Sequence, residues 1–314
     1  MTQATTNIPR ATGAYTDLSE LVRLRALATR IRISPPARAL AQLAGPLRSN
    51  FRGRGIEFEE VRKYAAGDDV RNIDWRVTAR TGEVFTKQFR EERERPVFIM
   101  IDQRASMFFG SRTTLKSVQA AHVGALLGWA TIEAGDRLGG LVLGPTEHHE
   151  VRPRRSRHAV MELLRLVHTF NHELTIDTLR QEQTRLSEAM VSLRRVLRPG
   201  ALLIMISDFV DWDDECVRQL RLLSRHTEIN AVRISDQLER ELPGFGRIAV
   251  SDGASRRELD TADKTLRARY SESADMQTHQ LRDCLARSGV PLIDMDTTDA
   301  ALEVLLRYYR GGRR

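Results

Sequence analysis

Two apolar runs in this chain end in a carboxylate. Val97-Phe-Ile-Met-Ile is closed by Asp102, with Ser106 four positions on, and Ala201-Leu-Leu-Ile-Met-Ile-Ser207 is closed by Asp208. Buried strands that deliver oxygen atoms at their carboxyl ends are how open α/β sheets build ligand and metal sites. Right-handed crossovers allow the two strands to be neighbours, which would bring Asp102, Ser106 and Asp208 to one rim. Such a set suits Mg²⁺, a hard cation that takes few protein ligands and keeps several waters. The same strand-end aspartate could instead be the nucleophile of an aspartyl-phosphate hydrolase, with a second acid two residues later as proton shuttle. That position is Arg104, so the shuttle is missing.

Other chemistries find no footing. The chain holds no glycine-rich phosphate loop, no H-E-x-x-H helix and no G-x-S-x-G elbow. Its two cysteines, Cys216 and Cys284, lack ligand spacing and read as free thiols. His148, His149 and His158 fall in a polar, arginine-rich stretch and read as exposed, while His122 lies on the apolar face of a helix and reads as a core histidine. With 314 residues, 41% hydrophobic and 29% charged, the composition is that of a globular protein able to bury a large core. No apolar stretch approaches the roughly 20 residues of a membrane span, and the first residues lack the apolar centre of a signal peptide. The expected location is cytoplasmic.

The net charge of +7 is local. Residues 1–55 carry nine arginines against Asp17 and Glu20, which leaves 40 basic and 40 acidic residues in 56–314. Aromatic residues for base stacking are sparse in 1–55, with only Tyr15 and Phe51, so nucleic acid is not the expected partner, and the arginines of 1–55 and of Arg152–His158 read as solvated or docked on acidic surface.

The elements that must position the carboxylates follow from periodicity. In the basic first segment (1–50), Asp17-Leu-Ser-Glu20 has the form of a capping box, and Leu18, Leu21, Leu24, Leu27, Ala28 and Ile31 continue at helical spacing. A second short helix is expected over Ala37–Ala44. Segment 51–95 predicts a small β-containing elaboration, with Thr81-Gly82 as a hairpin turn, Phe58, Ile73, Trp75, Val84 and Phe89 as its core, and Asp68, Asp69 and Asp74 solvated or paired with arginines. From 96 to 314 strands and amphipathic helices alternate. Strands are expected at 97–102, 138–143, 147–151, 201–207 and 229–234, with edge or outer strands at 247–250 and 291–295. Helices are expected over 114–133, 156–170, 182–197, 262–288 and 300–309.

Gly53-x-Gly55, Glu57-Phe58, Arg62-x-Tyr64, Gly67-Asp-Asp-Val-Arg71, Ile73-Asp-Trp75, Ala79-Arg80, Asp102 to Met107, Gly135-Asp-Arg137 and Ser207-Asp208 together resemble the bacterial domain of unknown function 58 family over residues 45–305, most specifically at Gly67–Trp75. The resemblance implies a von Willebrand factor A-like α/β fold, an open and mostly parallel sheet flanked by helices. It also implies a non-enzymatic interaction module that works as adaptor or co-chaperone beside a MoxR-type AAA+ ATPase. Such folds carry a metal-ion-dependent adhesion site, D-x-S-x-S with a later threonine and aspartate. Asp102 matches its first position, Ser106 its last and Asp208 the late acid, while Thr175 or Thr178 would supply the threonine. Arg104 replaces the middle serine. A guanidinium beside Asp102 competes with a divalent ion, so the expected site is degenerate, with Mg²⁺ weakly held or absent and Arg104 paired to Asp102 or Asp208.

Overall fold

The computed structural model describes residues 10–33, 56–65, 70, 73–91, 96–175, 178, 184–244, 246–251 and 256–310. The chain forms two compact units, Met1–Leu40 with Arg95–Arg314, and Ala41–Glu94. In chain order the described elements are α1 (Leu18–Arg23), α2 (Arg25–Ala28), β1 (Ile56–Lys63), α3 (Trp75–Thr81), β2 (Phe85–Glu91), β3 (Val97–Asp102), α4 (Lys116–Glu133), β4 (Leu138–Leu143) and β5 (His148–Arg154). They continue with α5 (Arg157–Glu173), α6 (Leu186–Val196), β6 (Leu202–Ser207), α7 (Asp214–Leu223), β7 (Glu228–Ser235), α8 (Gln237–Arg240), β8 (Arg247–Ser251), β9 (Arg256–Asp260), α9 (Lys264–Arg287), β10 (Leu292–Asp296) and α10 (Ala301–Arg310).

The larger unit is an α/β fold built on a six-stranded sheet of order β10-β7-β6-β3-β4-β5, parallel except for the β4–β5 hairpin. β3 and β6 are entirely buried runs of branched and long apolar residues, as a strand covered on both faces requires. Their period of two divides the core. Val97, Ile99, Ile101, Ile204 and Ile206 pack with α1, α2, α4, α5 and α10 on one face, whereas Phe98, Met100, Leu203 and Met205 pack with α6, α7 and α9 on the other. α4 lies close over β3, since a Cβ on Gly124 would stand 2.4 Å from Ile101 Cδ1.

From β3 the chain passes through α4 to β4 on one side, and from β6 through α7 to β7 on the other. The winding therefore reverses between β3 and β6, the place where open α/β sheets leave a crevice beyond the strand ends. Asp102 and Ser207-Asp208 sit there.

The first segment docks on this unit. Asp17 caps α1 by accepting from Ser19 N at 2.7 Å, and Leu21, Leu24, Ala28 and Ile31 are buried at the expected helical spacing. Trp129 Nε1 donates to Leu21 O at 3.2 Å, and Arg25 pairs with Glu133 at 2.8 Å. The expected helix at Ala37–Ala44 lies outside the described residues, as do Asp68 and Asp69.

The smaller unit pairs β1 with β2 antiparallel, but two expectations change there. Thr81-Gly82 is not a hairpin turn: Gly82, at φ 72°, ends α3, which Asp74 starts by accepting from Arg76 N and Val77 N. Trp75 and Val84 are not core, because Trp75 is 68% and Val84 43% exposed. Trp75 opens α3, a helix of seven residues none of which is buried, and Val84 lies in the short connection between α3 and β2. In the larger unit, Arg247–Ser251 does not join the main sheet and pairs with β9 in a separate hairpin. The helix α7 was not anticipated. His122 is buried as a core histidine, its pKa pushed down by burial to about 4, with Glu20 Oε1 3.6 Å away, beyond hydrogen-bond reach.

Candidate functional site: an ion-paired rim

Asp102 is fully buried, and the residue that follows it by two meets its charge. Arg104 donates from its backbone N (2.9 Å) and Nε (3.0 Å) to Asp102 Oδ1, and from Nε (3.2 Å) and Nη2 (2.8 Å) to Oδ2. Ser207 Oγ donates to the same Oδ2 at 2.7 Å. The other end of the guanidinium reaches Asp211 Oδ2 at 2.5 Å and the Thr184 carbonyl at 3.3 Å. One arginine thus ties the end of β3 to the loop after β6 and to the segment before α6. Burial disfavours this charge, but Asp102 and Asp211 outweigh it and raise the Arg104 pKa further above its ordinary value.

Asp208 is met by a second cation. Lys116, the first residue of α4 and 1% exposed, donates from Nζ to Asp208 Oδ2 at 2.8 Å and to Glu239 Oε1 at 2.5 Å. Burial pushes the Asp208 carboxyl up, and the Lys116 ammonium, its hydrogen bond, the Arg104 charge and the Val210 N–H reverse this and hold it below the ordinary aspartate range. Lys116 shows the complementary shift: burial opposes its charge, and Asp208 and Glu239 together carry its pKa above the usual lysine value.

The backbone after β6 is shaped to this purpose. Phe209 takes φ 56°, a conformation that non-glycine residues rarely adopt, and is held by its N–H on Ser207 Oγ at 3.0 Å and by a T-shaped contact with Trp212 at 5.7 Å. The turn leaves Val210 68% exposed. The third strand-end acid, Asp236, does structural work: it accepts from Ser111 N (2.9 Å), Leu238 N (2.9 Å) and Thr297 Oγ1 (2.7 Å) and caps α8. Behind the rim, a buried polar relay joins the first segment to the residue between Asp102 and Arg104. Thr16 N donates to Asn171 Oδ1 (2.7 Å), Asn171 Nδ2 to Gln103 Oε1 (3.1 Å), and Gln103 Nε2 to Ser117 O (2.9 Å).

Of the residues read from the sequence, Asp102, Arg104 and Asp208 come together. Ser106, in a short 3₁₀ turn after β3, keeps its Oγ buried without a hydrogen-bond partner. Thr175 and Thr178 hydrogen-bond to one another's backbone and hydroxyl in an exposed segment after α5, and no hydrogen bond links them to Asp102 or Asp208. The residues present do not fit the adhesion-site metal. Both oxygens of Asp102 are taken by Arg104 and Ser207, Asp208 Oδ2 by Lys116 and its Oδ1 by Val210 N at 3.2 Å. Sequence reasoning missed Lys116, Asp211 and Glu239. A charge balance would have narrowed the search, because two buried carboxylates need two cations and the β3–α4 connection offers only Arg104, Arg112 and Lys116 as candidates.

Comparison with known proteins agrees with the pattern of residues. The family described as "Protein of unknown function DUF58" matches residues 60–280. The chain belongs to this family. It is 30% identical over 271 residues to the uncharacterized proteins Rv1480 of Mycobacterium tuberculosis (strain H37Rv) and Mb1516 of Mycobacterium bovis, covering 83% of this chain and 81% of each relative. Solved structures resemble this DUF58 chain more distantly. BatB from Bacteroides thetaiotaomicron superposes with TM-score 0.40 at 11% identity over 69% of this chain and 98% of its own. The SpRpn10 VWA domain gives 0.38 at 11% over 68% and 94%. Among the described residues no helix is long and apolar enough to cross a membrane.

Proposed function

We propose that this DUF58 chain is a non-enzymatic protein-interaction module, the adaptor or co-chaperone of a MoxR-type AAA+ ATPase, and that the rim beyond β3 and β6 is its docking face. One observation carries the reading. The rim's acids are committed to internal cations while Val210 and Phe109, at 68% and 38% exposure, stand uncovered beside them. Exposed apolar side chains flanking a rigid polar centre are what a docking face offers. A hydrolase of the aspartyl-phosphate type would need Asp102 free to attack, and its two oxygens are instead saturated by Arg104 and Ser207 at zero exposure. Of the arginines of the first segment, Arg25 is held by Glu133 and lies 5.7 Å over the Trp129 ring.

The test is direct binding. Purified full-length protein is immobilised and exposed to the purified MoxR-type ATPase of the same organism in ATP, ADP and nucleotide-free forms. Binding in at least one form, lost in Val210→Asp and Phe109→Asp but retained in an exposed substitution on α9 such as Met276→Asp, is expected. No binding in any nucleotide state would sink the proposal, as would turnover of phosphoester substrates abolished by Asp102→Asn.

A further inference from the structure

We infer that Arg104 and Lys116 are resident cations that replace the divalent ion of this rim, so that the docking face engages its partner without metal. The first half stands on geometry alone, and the second rests on the interaction reading above. A bound Mg²⁺ collects oxygens at about 2.0–2.1 Å in an octahedron and gives up its waters reluctantly. Here Asp102 and Asp208 each already have a cation of their own at 2.8 Å, on the carboxyl side of their strands. Asp102 and Asp208, both buried, are each matched by one buried base, and each base then reaches outward to a second, partly exposed acid, Arg104 to Asp211 and Lys116 to Glu239.

A divalent ion entering this arrangement would have to expel a base that holds two carboxylates at once. The seats are also closed from outside. Lys116 Nζ lies 5.8 Å from the centre of the Phe109 ring, so that an aromatic face stands on a side where a hydrated ion would keep its waters. Arg104 is 5% exposed, and its remaining hydrogen bond ends on the Thr184 carbonyl. The clasps connect β3, the β6–α7 loop, the segment before α6, α4 and α8.

The arrangement also fixes what a partner meets. A metal-bearing rim offers an open cation to a partner's carboxylate. Here neither Arg104 nor Lys116 is open to a partner, since both are enclosed by acids, and what remains exposed around them is Val210, Phe109, the outer edge of Glu239 and the arginines Arg112 and Arg185. The contact is therefore apolar at Val210 and Phe109, with side chains of both signs around them and no metal for a partner's carboxylate to complete.

The experiment titrates full-length protein with MgCl₂ and MnCl₂ to millimolar levels at constant ionic strength, following melting temperature and, for Mn²⁺, the free-ion EPR signal. Wild type is expected to show no metal-dependent rise in melting temperature and no loss of free Mn²⁺. Arg104→Ser, which restores the D-x-S-x-S spacing, and Arg104→Ser/Lys116→Met are expected to melt lower and to regain stability with Mg²⁺. If the double variant does not fold, the single variant and the wild-type titration decide. Mn²⁺ bound by wild type and released by Asp102→Asn would overturn the inference, as would a folded Arg104→Ser variant blind to metal. Binding of the ATPase measured in EDTA and in Mg²⁺ separates the two readings: equal binding is expected. Metal uptake with binding kept would refute only the cation assignment, whereas a metal-blind protein that binds no ATPase would refute only the interaction reading.

Discussion

Lys116→Met tests the rim most sharply, because it removes a charge while keeping most of the side chain's length. At 2.8 Å and an effective dielectric of about 20, the attraction between Lys116 and Asp208 amounts to about 6 kcal/mol. The net cost of the substitution is smaller, since desolvation of the ammonium is recovered and Glu239, with a side chain 30% exposed, relaxes into water. What remains is Asp208, with a side chain only 2% exposed, left charged with the Val210 N–H and the more distant Arg104. Breaking a buried pair in this way costs about 3–5 kcal/mol, which for a chain of this size lowers the melting temperature by roughly 8 °C, at about 2 °C per kcal/mol. Asp208→Asn placed on Lys116→Met removes the stranded charge and is expected to restore more than half of the loss, so the double-mutant cycle shows strong coupling. Urea unfolding followed by circular dichroism measures all four corners. A single variant within about 1 kcal/mol of wild type, or a double variant as unstable as the sum of the singles, would refute the view that Lys116 neutralises Asp208.

Three further outcomes follow from the structure. His122, with its pKa held at about 4 against an unfolded value of 6.5, stays neutral in the fold while the unfolded chain binds a proton below pH 6.5. Stability therefore rises with pH between about 4 and 6.5, and the stability difference between wild type and His122→Gln should fall by about 3 kcal/mol as pH drops through that window; parallel curves would exclude it. Asn171→Leu strands the Thr16 N–H and Gln103 Oε1, both buried, at a cost of about 3 kcal/mol, and limited proteolysis should cut the segment around Thr16 sooner than in wild type. Gly140→Ala puts a Cβ 2.7 Å from Leu163 Cδ1 and 3.0 Å from the Ile99 carbonyl, and thermal unfolding should show a loss of about 1–3 kcal/mol; an unchanged melting temperature would mean that α5 can move off β4.

Much of the scaffold was legible because it rests on local chemistry. β3 and β6 are unbroken apolar runs that read as central strands, right-handed crossovers allow them to be neighbours, and the structure pairs them so that Asp102 and Asp208 share a rim. α4 and α9 were found from periodicity alone, and α7, with Cys216, Leu220 and Leu223 at helical spacing, carries the same kind of pattern although it was not anticipated. Trp75 misled because it looks like core in any strand-like alternation, and only the helical turn of α3 shows that it faces outward.

By itself the sequence determined the α/β class, the membership in DUF58 and the presence of Arg104 where a metal-binding serine would stand. Those are matters of periodicity and of neighbours along the chain, and Arg104 can reach Asp102 simply by being two residues away. Tertiary structure alone decided that Lys116 neutralises Asp208, 92 residues distant in the chain, that Asp211 and Glu239 close the two clasps, and that Thr175 and Thr178 stand apart. The balance of buried charge is set by which segments the winding brings to one crevice, and no local pattern of residues encodes it.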